Sequence, residues 1–137
     1  MLIALFFFCF DQQRNYYYNS DHTKCITVWK RIGGKCYIIP QNYHSYWAPE
    51  KDYLLTTNDN SLIVVWDKNS KYDIIVMDNY GMPVKLVTKN LKIKYFKFDE
   101  RKEFEESYYP AGKMLQPLEY LYINIKEDCA FLNEKKI

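Results

Sequence analysis

From Cys25 onward, apolar and polar positions alternate in short runs broken by turn residues, the pattern of a chain built from strands. Cys25–Ile32 and Lys35–Ile39 predict two strands joined at Gly33-Gly34, a pair suited to a two-residue hairpin turn, with Pro40 closing the second. A tight turn there would set Cys36 opposite Arg31. Residues 61–66 (SLIVVW) and 72–77 (YDIIVM) are nearly continuous apolar runs, which predicts strands covered on both faces. Asp67–Lys71 reads as the loop between them, Asn79–Pro83 as the next turn, and Val84–Thr88 as a further strand. Leu91-Lys-Ile-Lys-Tyr95 alternates cleanly, and then Phe96 falls on the lysine side. A β-bulge near Tyr95–Phe96 is the expected remedy for that slip. Leu118–Ile125 sets Leu121, Ile123 and Ile125 on one face and Tyr120, Tyr122 and Asn124 on the other. The charged stretch 99–109, closed by Pro110 and Gly112, holds the one helix that the pattern allows.

About seven short strands at this spacing predict an all-β, mainly antiparallel fold. We read residues 25–137 as a single Ig-like β-sandwich domain, with a small β-barrel as the competing architecture. Composition leans the same way, because 14 Tyr, 8 Phe and 3 Trp suit half-buried pleated surfaces.

The front of the chain is different. Met1–Phe10 (MLIALFFFCF) is an apolar run with a cysteine near its end, followed at once by polar Asp11–Asn15. A transmembrane helix needs about 20 apolar residues, so this run is too short to span a bilayer but fits the apolar part of a secretory signal. We expect residues 1–9 to act as a lipoprotein signal with Cys9 as the lipidation site, the alternative being a buried N-terminal strand. Residues 10–24, with Tyr16-Tyr17-Tyr18, read as a polar, Tyr-rich tether. The expected location is the periplasm, with the chain held to the envelope membrane through its N-terminal lipid.

That location bears on the remaining cysteines, Cys25, Cys36 and Cys129. An oxidising compartment supports one disulfide. Cys25 and Cys36 would sit several residues apart along their hairpin, and a disulfide needs Cα atoms within about 7 Å. Cys129 is therefore the better partner for one of them, and we expect Cys25–Cys129, with Cys36 as the alternative. No CxxC or zinc-finger spacing occurs, so no metal site is expected.

Signatures of catalysis are weak. His22 and His44 fall in predicted loops, and a Cys36–His44 nucleophile–base pair lacks any local motif. No phosphate-binding glycine loop or nucleophile elbow is present, and the carboxylates at 99–106 read as a solvated face. The chain is expected to be no enzyme and to need no cofactor. A net charge of +2 without a recognisable module argues against nucleic acid as a partner. Binding features are clearer. Tyr46 and Trp47 share a loop, Lys92 and Lys94 share a strand face, and Tyr120 and Tyr122 project from the last predicted strand. Lys85 would join the two lysines if the neighbouring strands form a hairpin. The same aromatics could stack on a glycan, or form a packed second layer.

The apolar leader ending at a cysteine, the spacer with Tyr16-Tyr17-Tyr18, the strand opening Cys25-Ile26-Thr27-Val28, and Lys71-Tyr72-Asp73 before an apolar strand carry a resemblance. Over its front third the chain resembles the small enterobacterial lipoproteins described as putative type VI secretion immunity periplasmic lipoproteins. The resemblance implies a β-rich, lipid-anchored, non-enzymatic protein that binds and neutralises an effector toxin. It carries over Cys9 as the lipid site and Cys25 as a structural cysteine. The expected mechanism is occlusion: Tyr46, Trp47, Lys92, Lys94, Tyr120 and Tyr122 would grip a protein toxin and cover its active surface.

Overall fold

Residues 11–137 are described by the computed structural model, with side chains from Gln13 onward. In chain order the strands are β1 (Asp11–Tyr18), β2 (Cys25–Arg31), β3 (Lys35–Ile39), β4 (Tyr53–Thr57), β5 (Ser61–Trp66), β6 (Ile74–Asp78), β7 (Lys85–Val87) and β8 (Ile93–Phe96). A 3-10 turn at Phe98–Glu100 leads into helix α1 (Arg101–Tyr108), and β9 (Glu119–Asn124), β10 (Cys129–Leu132) and β11 (Lys135–Lys136) complete the chain. Two sheets form, ordered β1-β2-β3-β4-β7 and β11-β10-β9-β5-β6-β8. They stack as a sandwich and share no strand, so the barrel alternative is set aside. Pairing is antiparallel except for β8, which runs parallel to β6 at the edge of the second sheet.

The interior is filled as the alternation requires. Ile26, Val28, Ile38 and Leu54 of the first sheet meet Leu62, Val64, Val76, Leu121 and Ile123 of the second, all but sealed from solvent. The continuous apolar runs of β5 and β6 also find their second cover. Val65, Ile75, Met77 and Phe96 point away from the first sheet and are buried by Phe104 of α1 and by Met114. Phe104, with half-buried Tyr108 beside it, thus roofs this sheet face, while most of the remaining α1 residues are charged and exposed.

The structure departs from the sequence reading at several points. Within the stretch read as a tether, residues 11–18 form β1, paired antiparallel with β2 through Tyr16↔Thr27, Tyr17↔Ile26 and Tyr18↔Cys25. Three consecutive tyrosines alternate faces, so Tyr17 turns into the core while Tyr16 and Tyr18 stay half-buried outside. The polar stretch before them suits a strand at a sheet edge, and β1 is thus part of the sandwich rather than a tether outside it. The leader expected at residues 1–9, including Cys9, lies outside the described residues.

The β2–β3 loop has three residues, because Arg31 pairs with Lys35. Gly33 and Gly34 both take left-handed φ, at 88° and 78°, which a side chain would resist. Cys36 consequently opposes Lys30, not Arg31. No bulge interrupts β8: its register with β6 is unbroken from Ile74↔Ile93 to Met77↔Phe96. Phe96 stays on the lysine side because α1 makes that side apolar, with the Phe96 and Phe104 ring centroids 5.6 Å apart. β7 closes the first sheet against β4 while β8 edges the second, so Lys85 does not share a hairpin with Lys92 and Lys94.

One buried carboxylate ties the two edges together. Asp52, 4% exposed and at φ 57°, accepts hydrogen bonds from the backbone N–H groups of Lys89 (2.8 Å), Asn90 (3.0 Å) and Leu91 (3.0 Å). It thereby fixes the strap that carries the chain from β7 to β8. Burial pushes this carboxyl up, but the three amide donors outweigh it and hold it below the usual carboxylate range. A lowered folded value means that its contribution is fully present above about pH 4, the ordinary Asp value, and is lost as pH falls through the folded one. Asn tolerates the same left-handed φ without the charge. Asp52→Asn should therefore lower stability by about 2 kcal/mol at neutral pH and flatten the loss of stability below pH 4, as read by urea unfolding across a pH series.

Candidate functional site

The 41–52 loop packs over the outer face of the first sheet, and the strands beneath it explain how it is held. Thr27 on β2 donates its hydroxyl to the Gln41 carbonyl (2.6 Å) and accepts from the Tyr43 N–H (3.1 Å). From β1, Arg14 Nη1 and the Tyr16 hydroxyl both donate to the Tyr43 carbonyl, at 3.0 and 3.2 Å. The Tyr16 hydroxyl also lies 3.0 Å from His44 Nδ1. Tyr43 itself donates to the Trp47 carbonyl (2.6 Å), and the Trp47 N–H donates to Ser45 Oγ (3.1 Å). Below the loop, the Arg14 and Arg31 guanidiniums lie 3.7 and 4.5 Å from the centroid of buried Trp29, an arrangement in which the ring quadrupole attracts both cations.

This base presents the two aromatics singled out from sequence. Tyr46 is 68% exposed and Trp47 70% exposed, the highest values among the large hydrophobic side chains described. Tyr43 was expected in this loop with Tyr46 and Trp47, but the supporting role of Arg14, Tyr16 and Thr27 was not foreseen, because it became readable only once β1 was known to be a strand.

The other four expected contact residues lie elsewhere. Lys92 is exposed and Lys94 half-buried on the strap and edge strand of the second sheet, with the Lys94 ammonium 5.1 Å from the Phe96 ring centroid. Tyr120 and Tyr122 do share the outer face of β9, opposite Leu121 and Ile123, as their alternation requires. They are half-buried beside α1 rather than presented to solvent. Burial, with a hydrogen bond to Glu134, pushes the Tyr120 hydroxyl up to about 12. The six residues thus fall on opposite sides of the sandwich, and no single patch contains them.

Two concavities accompany these surfaces. A groove of about 1080 Å³ runs across one end of the sandwich, between the 19–24, 67–73 and 113–119 segments, lined by polar residues such as Asn19, Asp67 and Gln116 along with Tyr72. Much of its polar lining is already engaged: Ser20 donates to Glu119, and the Lys24 N–H donates to Asn19 Oδ1. A smaller cleft of about 360 Å³ opens beside α1 on the outer face of the second sheet.

The cysteines do not pair as expected. Cys25, Cys36 and Cys129 are all free thiols. Cys25 stands on the outer face of the first sheet with Thr27 and Trp29, whereas Cys129 belongs to β10 of the other sheet. A whole sandwich layer separates that face from the second sheet, and stacked sheets lie about 10 Å apart, so the Cys25–Cys129 bridge does not form. Cys36 points inward while His44 sits on the outer loop, so the two face opposite sides of the first sheet. No group of three or more potential metal ligands occurs among the described residues, and none of their helices is long and apolar enough to cross a membrane. The chain matches no family model, no curated protein and no solved structure.

Burial pushes the Cys36 thiol up to about 12, with nearby Lys30 offsetting only part of it. Almost no thiolate exists at pH 8, and the side chain is sealed from reagent. Iodoacetamide labelling mapped by mass spectrometry should leave Cys36 unmodified in the native protein and modify it readily in denaturant. Native-state labelling of Cys36 comparable to Cys25 would show that this end of the core opens.

Proposed function

We propose that this domain is an exported protein-binding module that neutralises a secreted effector toxin by occlusion. The observation that carries the reading is the braced loop at 41–52, which holds two large aromatics in water on a fixed base. A rigid loop loses little freedom on binding, and exposed Trp and Tyr are the residues from which interface hot spots are built. Stable interfaces bury about 800 Å² per partner, and the loop with the flanking first-sheet face is the contact area this reading assigns. The leader-like front and Cys9 support delivery to the envelope and a lipid anchor in the periplasm. The resemblance to immunity lipoproteins supports a toxin as the protein bound.

In this reading the loop takes the anchoring role, and the lysines at 92 and 94 act at most through long-range attraction, since they lie on the other sheet. The polar groove at the sandwich end favours a second reading, a glycan-binding domain, because its amides and carboxylates suit a polyhydroxylated ligand.

The test is co-expression with effectors encoded beside its gene, followed by measurement of complex formation. The expected result is growth rescue and a stable complex. Tyr46→Ala with Trp47→Ala should weaken that complex by about 2 kcal/mol or more, roughly thirty-fold in Kd, while leaving Tm within about 2 °C because both side chains are exposed. Failure to protect against any neighbouring effector, together with saturable binding on a glycan array, would overturn the proposal in favour of the second reading.

A further inference from the structure

The 360 Å³ cleft beside α1 has a division of labour that the protein-binding proposal does not use. Its floor is Ile63 of β5 and its walls are Tyr120 and Tyr122 of β9, Phe104 of α1, Tyr109 and Met114. The lining is mainly apolar, and its volume falls in the range of small-ligand pockets. At the mouth stand Asn79, Tyr80, Arg101 and Glu105. Arg101 is held from two sides: Nε donates to Glu105 Oε1 (2.9 Å) one turn along the helix, and Nη1 donates to Asn79 Oδ1 (2.9 Å) at the end of β6. Asn79 is itself fixed, since its side-chain amide donates to Ser61 Oγ (3.2 Å) and its backbone N–H to the Ser61 carbonyl (3.0 Å).

These contacts consume Nε and one hydrogen of Nη1. The outer edge of the guanidinium, Nη2 with the second Nη1 hydrogen, keeps its donors for another acceptor. A planar pair of parallel N–H groups is the geometry that a carboxylate takes up in a bidentate fashion. Glu105 pairs with Arg101 through Nε alone, which leaves the Nη2 edge of the guanidinium as the cationic feature of the mouth. The other acids of the helix, Glu103 and Glu106, do not line the cleft and are exposed. Tyr80, half-exposed, adds an aromatic lip to the lining.

We propose that this cleft binds a small carboxylic acid with a flat aromatic or branched apolar body, the body resting on Ile63, Met114 and the tyrosine walls and the carboxylate on Arg101. The inference is independent of the toxin-binding proposal, because the cleft lies on the opposite sheet from Tyr46 and Trp47.

Three probes of the same shape test it: indole-3-acetate, neutral indole-3-acetamide and cationic tryptamine, titrated into the full domain and followed by NMR shifts. A ligand of this size should bind with a Kd on the order of 1 mM, which NMR detects. Indole-3-acetate should bind saturably and at least about tenfold more tightly than the amide, the gain expected from one charge-assisted pair. Tryptamine should bind no better than the amide. Arg101→Gln should bring the acid down to the affinity of the amide, and Ile63→Phe, which fills the floor, should weaken all three. Trp47→Ala should change nothing, which separates this cleft from stacking on the exposed loop. Far-UV circular dichroism of each variant establishes that the fold is kept. Absence of saturable binding, a preference for tryptamine, or acid binding undiminished in a folded Arg101→Gln domain would each overturn the assignment.

Discussion

Strands β5 and β6 bury apolar side chains on both faces, and each face needs its own cover. Leu62, Val64 and Val76 are roofed by the first sheet, and Val65, Ile75 and Met77 by α1. Burying each such side chain is worth about 1.5–3 kcal/mol, so leaving either face open would forfeit several of them at once. The chain's path follows from that need. It must leave the second sheet after β6 to add β7 to the first, then return along the edge of the second so that α1 can be laid over the far face. The cleft beside α1 is a consequence of the same arrangement: eight helical residues cover Ile75, Met77 and Phe96 but stop short of Ile63 and Tyr122.

Crossing between sheets forces polar backbone through the interior, and the sequence answers with buried side-chain partners. The first crossing, from β4 to β5, is bound by Asn60, which donates to Thr56 Oγ1 (2.9 Å) and accepts from the Ser61 N–H (2.8 Å). Thr56 in turn donates to the Pro83 carbonyl (2.9 Å), where the chain comes back towards β7. Asp52 performs the same service on the strap that returns to the second sheet. A buried polar group costs free energy unless it is paired, and here the pairing falls at the crossings, the places where a misrouted strand would otherwise be tolerated. Lys30 reaching Asp128 at 2.5 Å ties the far side of the two layers in the same manner.

Elements whose two faces differ in a simple period were legible in the sequence. The assignments at β2, β3, β5, β6 and β9 follow directly from alternation or from unbroken apolar runs, and the helix from its closing Pro110 and Gly112. The losses have a common cause. β1 carries one buried residue in its last four, Tyr17, and its other inward position is polar Asn15, so its sequence looks like a solvated linker; only pairing with β2 gives the tyrosines their faces. β4 hides in Tyr53-Leu-Leu-Thr-Thr57, where Leu54 and Thr56 point inward and the buried threonine breaks the apolar signal. β10 and β11 are too short to show a period. The phase slip at Phe96 was real, but its resolution was tertiary: the side chain keeps its face, and a helix some residues later makes that face apolar. The candidate loop was legible as exposed aromatics, while its bracing by Arg14, Tyr16 and Thr27 depends on strands distant in sequence.

The sandwich places its two candidate binding features back to back. The Tyr46–Trp47 loop owes its rigidity to the first sheet, through hydrogen bonds to β1 and β2, and the cleft owes its shape to the second, through β5, β9 and α1. Between them lies a close-packed layer of Ile, Val and Leu side chains. A protein partner covering the first-sheet face would leave the cleft open to solvent, and a small acid in the cleft would leave the aromatics presented as before. The two candidate surfaces thus share no residue, and each rests on the sheet beneath it.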